Sequence, residues 1–109
     1  MKLYLDDERK TPVGWVRVFW PEEAIAWLKT EMVTEISLDH DLGDDRGTGY
    51  DVILWIENEV MTNNFIPPKM NIHSANVSAR IKMELGIMAI KTFWRSQHDE
   101  SRTVNKIQR

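Results

Sequence analysis

Cysteine is absent from this chain of 109 residues, which excludes disulfide bonds and metal sites built from thiolates. No hydrophobic run is long enough to cross a bilayer, and the sequence passes from Met1 directly into a predicted strand, so neither a membrane partner nor a signal peptide is expected. The net charge is only -3, which excludes the broad basic face of a general nucleic-acid-binding protein. What remains is a chain of the size of one compact domain, for which we expect a cytoplasmic location.

Three predicted strands each end in a group of acidic, histidine or hydroxyl side chains. The strands, with the residues that follow them, are Lys2–Leu5 with Asp6 and Asp7, Ile36–Leu38 with Asp39, His40 and Asp41, and Met70–Ile72 with His73, Ser74 and Asn76. Carboxylates crowded at the end of a strand repel one another, and a fold tolerates them mostly where a cation is bound. The two acidic groups therefore indicate a cation site.

The remaining elements alternate in the way typical of a parallel sheet. Val16–Trp20 is a further strand, because it is rich in β-branched and aromatic residues, and Glu8–Trp15 before it is too broken by proline and glycine for a full helix. Helices are predicted to begin at Pro21 and at Tyr50, and after a cap at Ser78. This order predicts an α/β domain with a small open parallel sheet of about four strands and right-handed crossovers. Ligands bind beyond the carboxyl ends of such strands, which places the three polar groups on one rim.

Apolar residues at helical spacing predict the buried side of each helix. The residues predicted to face the core are Val52, Leu54, Trp55, Ile56 and Val60 in the second helix and Ile81, Met83, Leu85, Met88 and Ile90 in the third. After Trp94 the composition becomes polar, so we assign residues 1–94 to the domain and residues 95–109 to a C-terminal tail.

The motifs at the three strand ends resemble those of the cyclic-phosphate-processing receiver domain, a divergent branch of the response-regulator receiver fold found in bacteria and phages. The residues that carry the resemblance are Leu5–Arg9 with Thr11 and Pro12, Ser37–Gly43 with Gly49, and His73–Asn76. The resemblance extends from Met1 to about Ile90. It implies a receiver-like sheet with strand order 2-1-3-4, a shortened first helix and no clear fifth strand.

The resemblance also implies roles for individual residues. Receivers bind a divalent metal with an acidic pair after the first strand, which Asp6 and Asp7 match, and they accept a phosphoryl group on an aspartate that Asp39 matches. A hydroxyl residue after the fourth strand, matched by Ser74, holds a phosphate oxygen. The divergent branch adds histidines at the positions of His40 and His73, and it is proposed to process cyclic phosphates.

Side-chain chemistry and resemblance together give three sets of candidate site residues. The metal ligands are Asp6, Asp7, Asp39 and Asp41, the catalytic residues are His73, His40 and Asp39, and the phosphate contacts are Ser74, Asn76 and Arg9. Oxygen ligands suit Mg²⁺ or Mn²⁺, and imidazoles suit proton transfer near neutral pH. The predicted function is metal-dependent hydrolysis of a cyclic phosphate, carried by an RNA end or a small nucleotide. Neighbours in a strand face opposite sides, however, so at most one of His40 and Asp39, and one of His73 and Ser74, is securely placed.

Two other functions are consistent with the sequence. The chain could be a signalling receiver phosphorylated at Asp39, but the lysine that ends the fifth strand of receivers is missing, since Lys91 lies in a predicted helix. It could also be a non-catalytic interaction module, for example a phage protein that blocks a host factor. Without a fifth strand the fourth has an open edge, which a second copy in a homodimer or the C-terminal tail would cover.

Overall fold

The computed structural model describes residues 1–42 and 46–98. Its elements, in chain order, are β1 (Lys2–Leu5), β2 (Trp15–Val18), α1 (Pro21–Leu28), β3 (Glu35–Leu38), α2 (Gly49–Asn63), β4 (Lys69–Ile72) and α3 (Val77–Gln97). None of these helices is both long and apolar enough to cross a membrane. The predicted acidic, glycine-rich loop at residues 43–45 and the tail from residue 99 onward lie outside the described residues.

The four strands form one parallel sheet with the order β2-β1-β3-β4, which confirms the predicted fold class. A loop, and no helix, connects β1 to β2. The last residues of the four strands are aligned in register, and they are Val18, Leu5, Leu38 and Ile72. The residues that follow the strands therefore lie side by side at the same end of the sheet.

All three helices pack on one face of the sheet. The core contains Leu3, Leu5, Val18, Ile36, Leu38 and Met70 from the strands, and Ala24, Leu28, Val52, Ile53, Ile56, Val60, Met83, Ile87 and Ile90 from the helices. The crossovers β2-α1-β3 and β3-α2-β4 run in the same direction across the sheet. Because both are right-handed, their helices lie on the same face. We call this side the covered face.

The opposite side of the sheet, which we call the uncovered face, carries polar and aromatic residues. By the alternation of the strands its residues are Lys2, Tyr4, Trp15, Arg17, Glu35, Ser37, Lys69 and Asn71. None of them belongs to the hydrophobic core, and no helix in the described part of the chain packs on them. They contact one another instead: the rings of Tyr4 and Trp15 meet edge to face, with centroids 6.1 Å apart, and Asn71 Nδ2 donates to Glu35 Oε2 over 2.7 Å.

The start of α3 differs from the prediction. The N-cap is Asn76, whose Oδ1 accepts a hydrogen bond from the Ala79 N–H over 3.0 Å, and not Ser78. Both residue types are good caps, so the residue types alone do not decide between them. The helix continues to Gln97, so the first residues of the predicted tail are helical.

The predicted buried sides of α2 and α3 are wrong in part. Leu54 in α2 is exposed, and Ile53 is buried in its place. In α3, Met83 and Ile90 are buried as predicted, but three predicted core residues are exposed: Ile81, Leu85 and Met88. The reason is that α3 carries two apolar stripes at helical spacing, and only the tertiary fold selects the one that faces the sheet.

The edge of the sheet at β4 is open within the described residues, as predicted. The N–H groups of Lys69 and His73 point towards β3, where each donates to a carbonyl oxygen 3.0 Å away. Since main-chain groups alternate in direction along a strand, those of Met70 and Ile72 point away from the sheet. The edge therefore presents two N–H and two C=O groups, from these two residues.

Candidate functional site

Asp6 directly follows β1 and is fully buried, which is rare for a carboxylate without partners. The loop after the strand turns around it, so that the N–H groups of Glu8 and Arg9 donate to Oδ1 over 2.7 and 2.8 Å. Burial raises the pKa of Asp6, but these two N–H groups and a hydrogen bond from His73 outweigh it and hold the pKa below its ordinary value. Asp6 is therefore ionised, with Oδ2 directed towards His73.

His73, directly after β4, lies across the uncovered face. Its Nε2 is 3.0 Å from Asp6 Oδ2, its Nδ1 is 2.7 Å from Ser37 Oγ, and its ring stacks on Tyr4 with a centroid distance of 4.3 Å. A neutral ring with its proton on Nε2 satisfies both contacts, since it donates to Asp6 and accepts from the Ser37 hydroxyl. Burial lowers the pKa of His73, and the nearby carboxylates only partly offset this effect. The imidazole is therefore neutral near pH 7.

Asp39, directly after β3, is partly buried beside Asp6. Its Oδ1 accepts the N–H of His40 over 2.8 Å. Burial raises the pKa of Asp39, and the negative charge of Asp6 raises it further. Asp39 is thus a carboxylate whose charge the fold disfavours, and a cation beside it would stabilise that charge.

Gly49, the first residue of α2, packs closely against the main chain of Asp39. A Cβ atom on Gly49 would lie 1.9 Å from the Asp39 carbonyl oxygen, so only glycine lets the helix approach this closely. The start of α2 is held in turn by Asp51, whose Oδ2 accepts the Thr48 N–H over 2.8 Å. The helix on the covered face therefore sets the position of a site residue on the rim.

Asp6, Asp39 and His73 together form a group that can hold a metal ion. One potential ligand atom from each lies within 4.8 Å of the other two. The 3.0 Å between Asp6 Oδ2 and His73 Nε2 also matches the spacing of adjacent ligands in an octahedral shell with bonds of about 2.1 Å. To bind an ion, His73 would carry its proton on Nδ1 and donate it to Ser37 Oγ. Two carboxylates suit Mg²⁺ or Mn²⁺, and an imidazole in the same set favours the transition metal. The donor set therefore fits a divalent cation.

The other predicted residues lie around this group with partners of their own. His40 does not join it, because its Nδ1 contacts Oδ1 of the exposed Asp41 at 2.9 Å. Ser74 is buried, and its Oγ accepts the N–H of Asn76 over 3.1 Å. Asn76 Nδ2 is 3.5 Å from Asp41 Oδ1, and Asp7 is half-buried. The alternation expected of neighbouring residues therefore holds: His73 and Asp39 face the group, and their neighbours have other contacts.

Arg9 is the one predicted phosphate contact whose side chain approaches the group directly. Its Nε lies 3.9 Å from Asp6 Oδ2, and half of the side chain is exposed. A half-exposed guanidinium at this distance can bind either the carboxylate or the phosphate of a ligand.

Sequence reasoning missed two residues that hold His73, namely Ser37 and Tyr4. Both are buried in the middle of strands, and burial together with the charge of Asp6 raises the pKa of Tyr4. The sequence spacing could have identified both residues, because Tyr4 is two residues before Asp6 and Ser37 is two residues before Asp39. Residues two apart in a strand share a face, so both belong to the face that leads to the site.

The comparison with known families agrees with this geometry. A family model described as the cyclic-phosphate processing receiver domain matches residues 1–89. Neither a curated protein nor a solved structure is significantly similar to the chain. The match includes all four strands and the three residues that could hold a metal ion, Asp6, Asp39 and His73. The chain therefore belongs to the family of cyclic-phosphate processing receiver domains.

Proposed function

We propose that this protein is a metal-dependent phosphoesterase that opens a cyclic phosphate, with Asp6 and Asp39 as the metal ligands and His73 as the residue that moves a proton. The observation that carries the proposal is the group itself: two carboxylates and a neutral imidazole, delivered by three strand ends to one place within 4.8 Å. The family is linked by its description to cyclic-phosphate processing, and a phosphodiester needs both charge neutralisation and proton transfer.

The chemistry assigned to the protein residues is hydrolysis of one ring bond. The oxygen of water forms a bond to phosphorus, the bond from phosphorus to one ribose oxygen breaks, and the product is a phosphomonoester. The water gives up one proton and the leaving oxygen takes one up. His73 is suited to accept the proton from water, because it is neutral near pH 7. A cation bound by Asp6 would favour the tautomer with its proton on Nδ1, donated to Ser37 Oγ, which leaves the lone pair of Nε2 free beside Asp6 Oδ2. Mg²⁺ or Mn²⁺ would supply positive charge that offsets the charge developing on the phosphate oxygens.

The proposal is tested by turnover of adenosine 2′,3′-cyclic phosphate in the presence of Mn²⁺ or Mg²⁺. We expect His73→Gln to lower kcat/KM by about 100-fold or more, the usual loss when a catalytic proton-transfer group is removed. Asp39→Asn should cause a comparable loss, because the metal would lose a charged ligand. The matched control is His98→Gln, because His98 stacks on Trp94 near the end of α3 and lies beside the proline segment before β4, at the other end of the sheet. This control should retain wild-type turnover.

Two results would contradict the proposal. One is the absence of turnover above a protein-free blank with both metals and with both nucleotide and RNA substrates. The other is turnover that remains unchanged in His73→Gln and Asp39→Asn, since activity would then arise from another site or from a contaminant.

Phosphoryl relay lacks comparable support. Lys91 lies in α3 and lines a groove beside the open edge of β4, together with Met70 and Glu84, rather than following a strand at the rim. Within the described residues, no lysine is thus placed at the end of a fifth strand beside Asp39.

A further inference from the structure

An exposed aromatic ring lies next to the metal-binding group on the uncovered face. Phe19 directly follows β2, and the hydrogen bond from the Asp6 N–H to the Val18 carbonyl, 3.1 Å long, keeps the two chain segments side by side at this point. The ring of Phe19 is on the uncovered face, because the guanidinium of Arg17 lies over it at 4.9 Å. Phe19 is 42% exposed, so a flat ligand can reach it. Neighbouring strands are about 4.8 Å apart, so a phosphate at Asp6 and a base at Phe19 are separated by about the span of one nucleotide.

Arg17 has an unused hydrogen-bond donor between Phe19 and the site. Its Nε donates to the Asp6 carbonyl oxygen over 3.0 Å, which fixes the guanidinium beside the group. Its Nη2 is buried and has no hydrogen-bond partner among the described residues. A buried donor without an acceptor is unfavourable. The Phe19 ring lies against the guanidinium, so an oxygen of a bound phosphate or base would reach this donor once the ring turns to stack on a base.

Aromatic and cationic residues continue along β2, away from the rim. Trp15 follows Arg17 in this direction, and Lys2 Nζ lies 5.6 Å from the Trp15 ring centroid. The row from Phe19 to Trp15 is about 13 Å long at the rise of a strand. Aromatic rings interleaved with cations are the pattern on which single-stranded nucleic acids bind, because the rings stack on bases and the cations contact phosphates.

The composition of the uncovered face argues against a protein helix as its occupant. None of its residues in the strands is aliphatic, whereas the covered face is built from leucine, isoleucine, valine and methionine. Its charged strand residues are three cations, Lys2, Arg17 and Lys69, and one acid, Glu35. A divalent cation bound at the rim would neutralise Asp6 and Asp39, so that the face would then carry an excess of positive charge. Such a surface is complementary to a nucleic-acid backbone rather than to an apolar protein surface.

We propose that the uncovered face binds the single-stranded 3′ end of an RNA, with its terminal base stacked on Phe19 and a phosphate oxygen accepting from Arg17. This inference rests on the proposed function, since the cyclic phosphate of the same terminal nucleotide would lie at Asp6, Asp39 and His73. The preceding nucleotides then run along β2 towards Trp15.

The test measures binding separately from turnover. A short fluorescently labelled oligoribonucleotide that ends in a 2′,3′-cyclic phosphate is titrated by anisotropy, with and without Mn²⁺, and glycerol 1,2-cyclic phosphate serves as the competitor without a base. The RNA should bind at least about tenfold more tightly than the base-free compound, which corresponds to one stacked base. Phe19→Leu should weaken RNA binding by about tenfold and leave binding of the base-free compound unchanged. Arg17→Gln should weaken RNA binding and make it less sensitive to salt.

The matched control is Trp27→Leu, which removes an aromatic residue that is 37% exposed on α1, on the covered side of the sheet. It should bind RNA as the wild type does. The proposal is overturned if Phe19→Leu binds RNA with wild-type affinity, or if a free cyclic mononucleotide binds as tightly as the RNA. Binding of RNA that depends on Phe19, without hydrolysis of any cyclic phosphate, would support this inference and contradict the proposed function.

Discussion

The two faces of the sheet are made by alternate residues of the same four strands, yet they differ in polarity, in burial and in the kind of contact their side chains make. The covered face consists of aliphatic residues, most of them fully buried like Leu5 and Leu38, which pack against the helices. The uncovered face consists of residues such as Tyr4, Ser37 and His73, which are joined by ring contacts and hydrogen bonds. Because each strand contributes to both faces, packing on one side sets the positions of the polar groups on the other.

The two faces also have different roles: one stabilises the fold, and the rim of the other carries the candidate site. Burial of apolar surface on the covered face stabilises the fold. The rim of the uncovered face carries two groups whose charged forms the fold disfavours, as the raised pKa of Asp39 and the lowered pKa of His73 indicate. Such groups are expected where a ligand supplies the missing interaction.

The largest difference is expected between two neighbours in β3. Leu38→Ala removes a fully buried core side chain and should lower the free energy of unfolding by about 2–5 kcal/mol. Ser37→Ala removes one hydrogen bond to His73 and should cost only about 0.5–1.5 kcal/mol, while it lowers kcat/KM because His73 loses its anchor. Urea denaturation and the turnover assay measure the two effects. Equal destabilisation by both variants would show that the faces do not differ in this way.

The contact between the covered side and the rim is tested by Gly49→Ala. The new methyl group would lie 1.9 Å from the Asp39 carbonyl oxygen, so the variant should lose about 1–3 kcal/mol of stability and bind Mn²⁺ more weakly. Gly86→Ala is the control in α3, where the methyl group would meet a side-chain atom of Ile53 at 2.8 Å and helix propensity improves. Denaturation curves should show a smaller loss for the control. A smaller loss for Gly49→Ala than for Gly86→Ala would refute the proposed contact.

Asp39→Asn should stabilise the protein in the absence of metal. At pH 7 the substitution removes a carboxylate that burial and Asp6 both disfavour, and an asparagine oxygen can still accept the His40 N–H. The gain should be small, about 0.5 kcal/mol, because solvent screens a partly exposed group. Thermal unfolding should therefore show a slightly higher Tm for the variant. Mn²⁺ should raise the Tm of the wild type but not that of Asp39→Asn. A lower Tm for Asp39→Asn would mean that the carboxylate contributes to stability without metal.

The smallest effect is expected from pH acting on His73 in the metal-free protein. The pKa of His73 is lower in the folded chain than its ordinary value near 6.5. Between these two values the imidazole of the unfolded chain is protonated, whereas that of the folded chain is neutral. Stability should therefore fall as the pH falls from about 6.5 through the lowered pKa of the folded state. Asp39 acts in the opposite direction, because its raised pKa lets the folded chain take up a proton first, between its ordinary value near 3.9 and the raised value. In His73→Gln, the loss of stability that begins near pH 6.5 should be absent, which Tm measured against pH would reveal.

The sequence was sufficient for the fold because strands and helices alternate clearly and each strand ends in an abrupt change from apolar to polar residues. It was also sufficient to bring Asp6, Asp39 and His73 to one rim, since the ends of parallel strands meet there. It did not decide between His73 and Ser74 as the group facing Asp6, because the direction of a side chain depends on register. The sequence-based prediction of buried residues was wrong for Ile81, Leu85 and Met88. The helix α3 has two apolar stripes, and only its packing on the sheet decides which of them is buried.

The open edge of β4 limits how this protein can associate with itself. Pro67 and Pro68 stand directly before the strand and have no N–H groups to donate, so the edge cannot be extended in that direction. Only Met70 and Ile72 direct their main-chain groups outward, and the exposed Lys69 places a charge beside them. A homodimer formed through this edge would thus gain few main-chain bonds, and most of its buried area would have to come from the exposed apolar stripe of α3. Because the β4 edge offers so few outward main-chain groups, it is also a poor template for the addition of further strands and hence for aggregation.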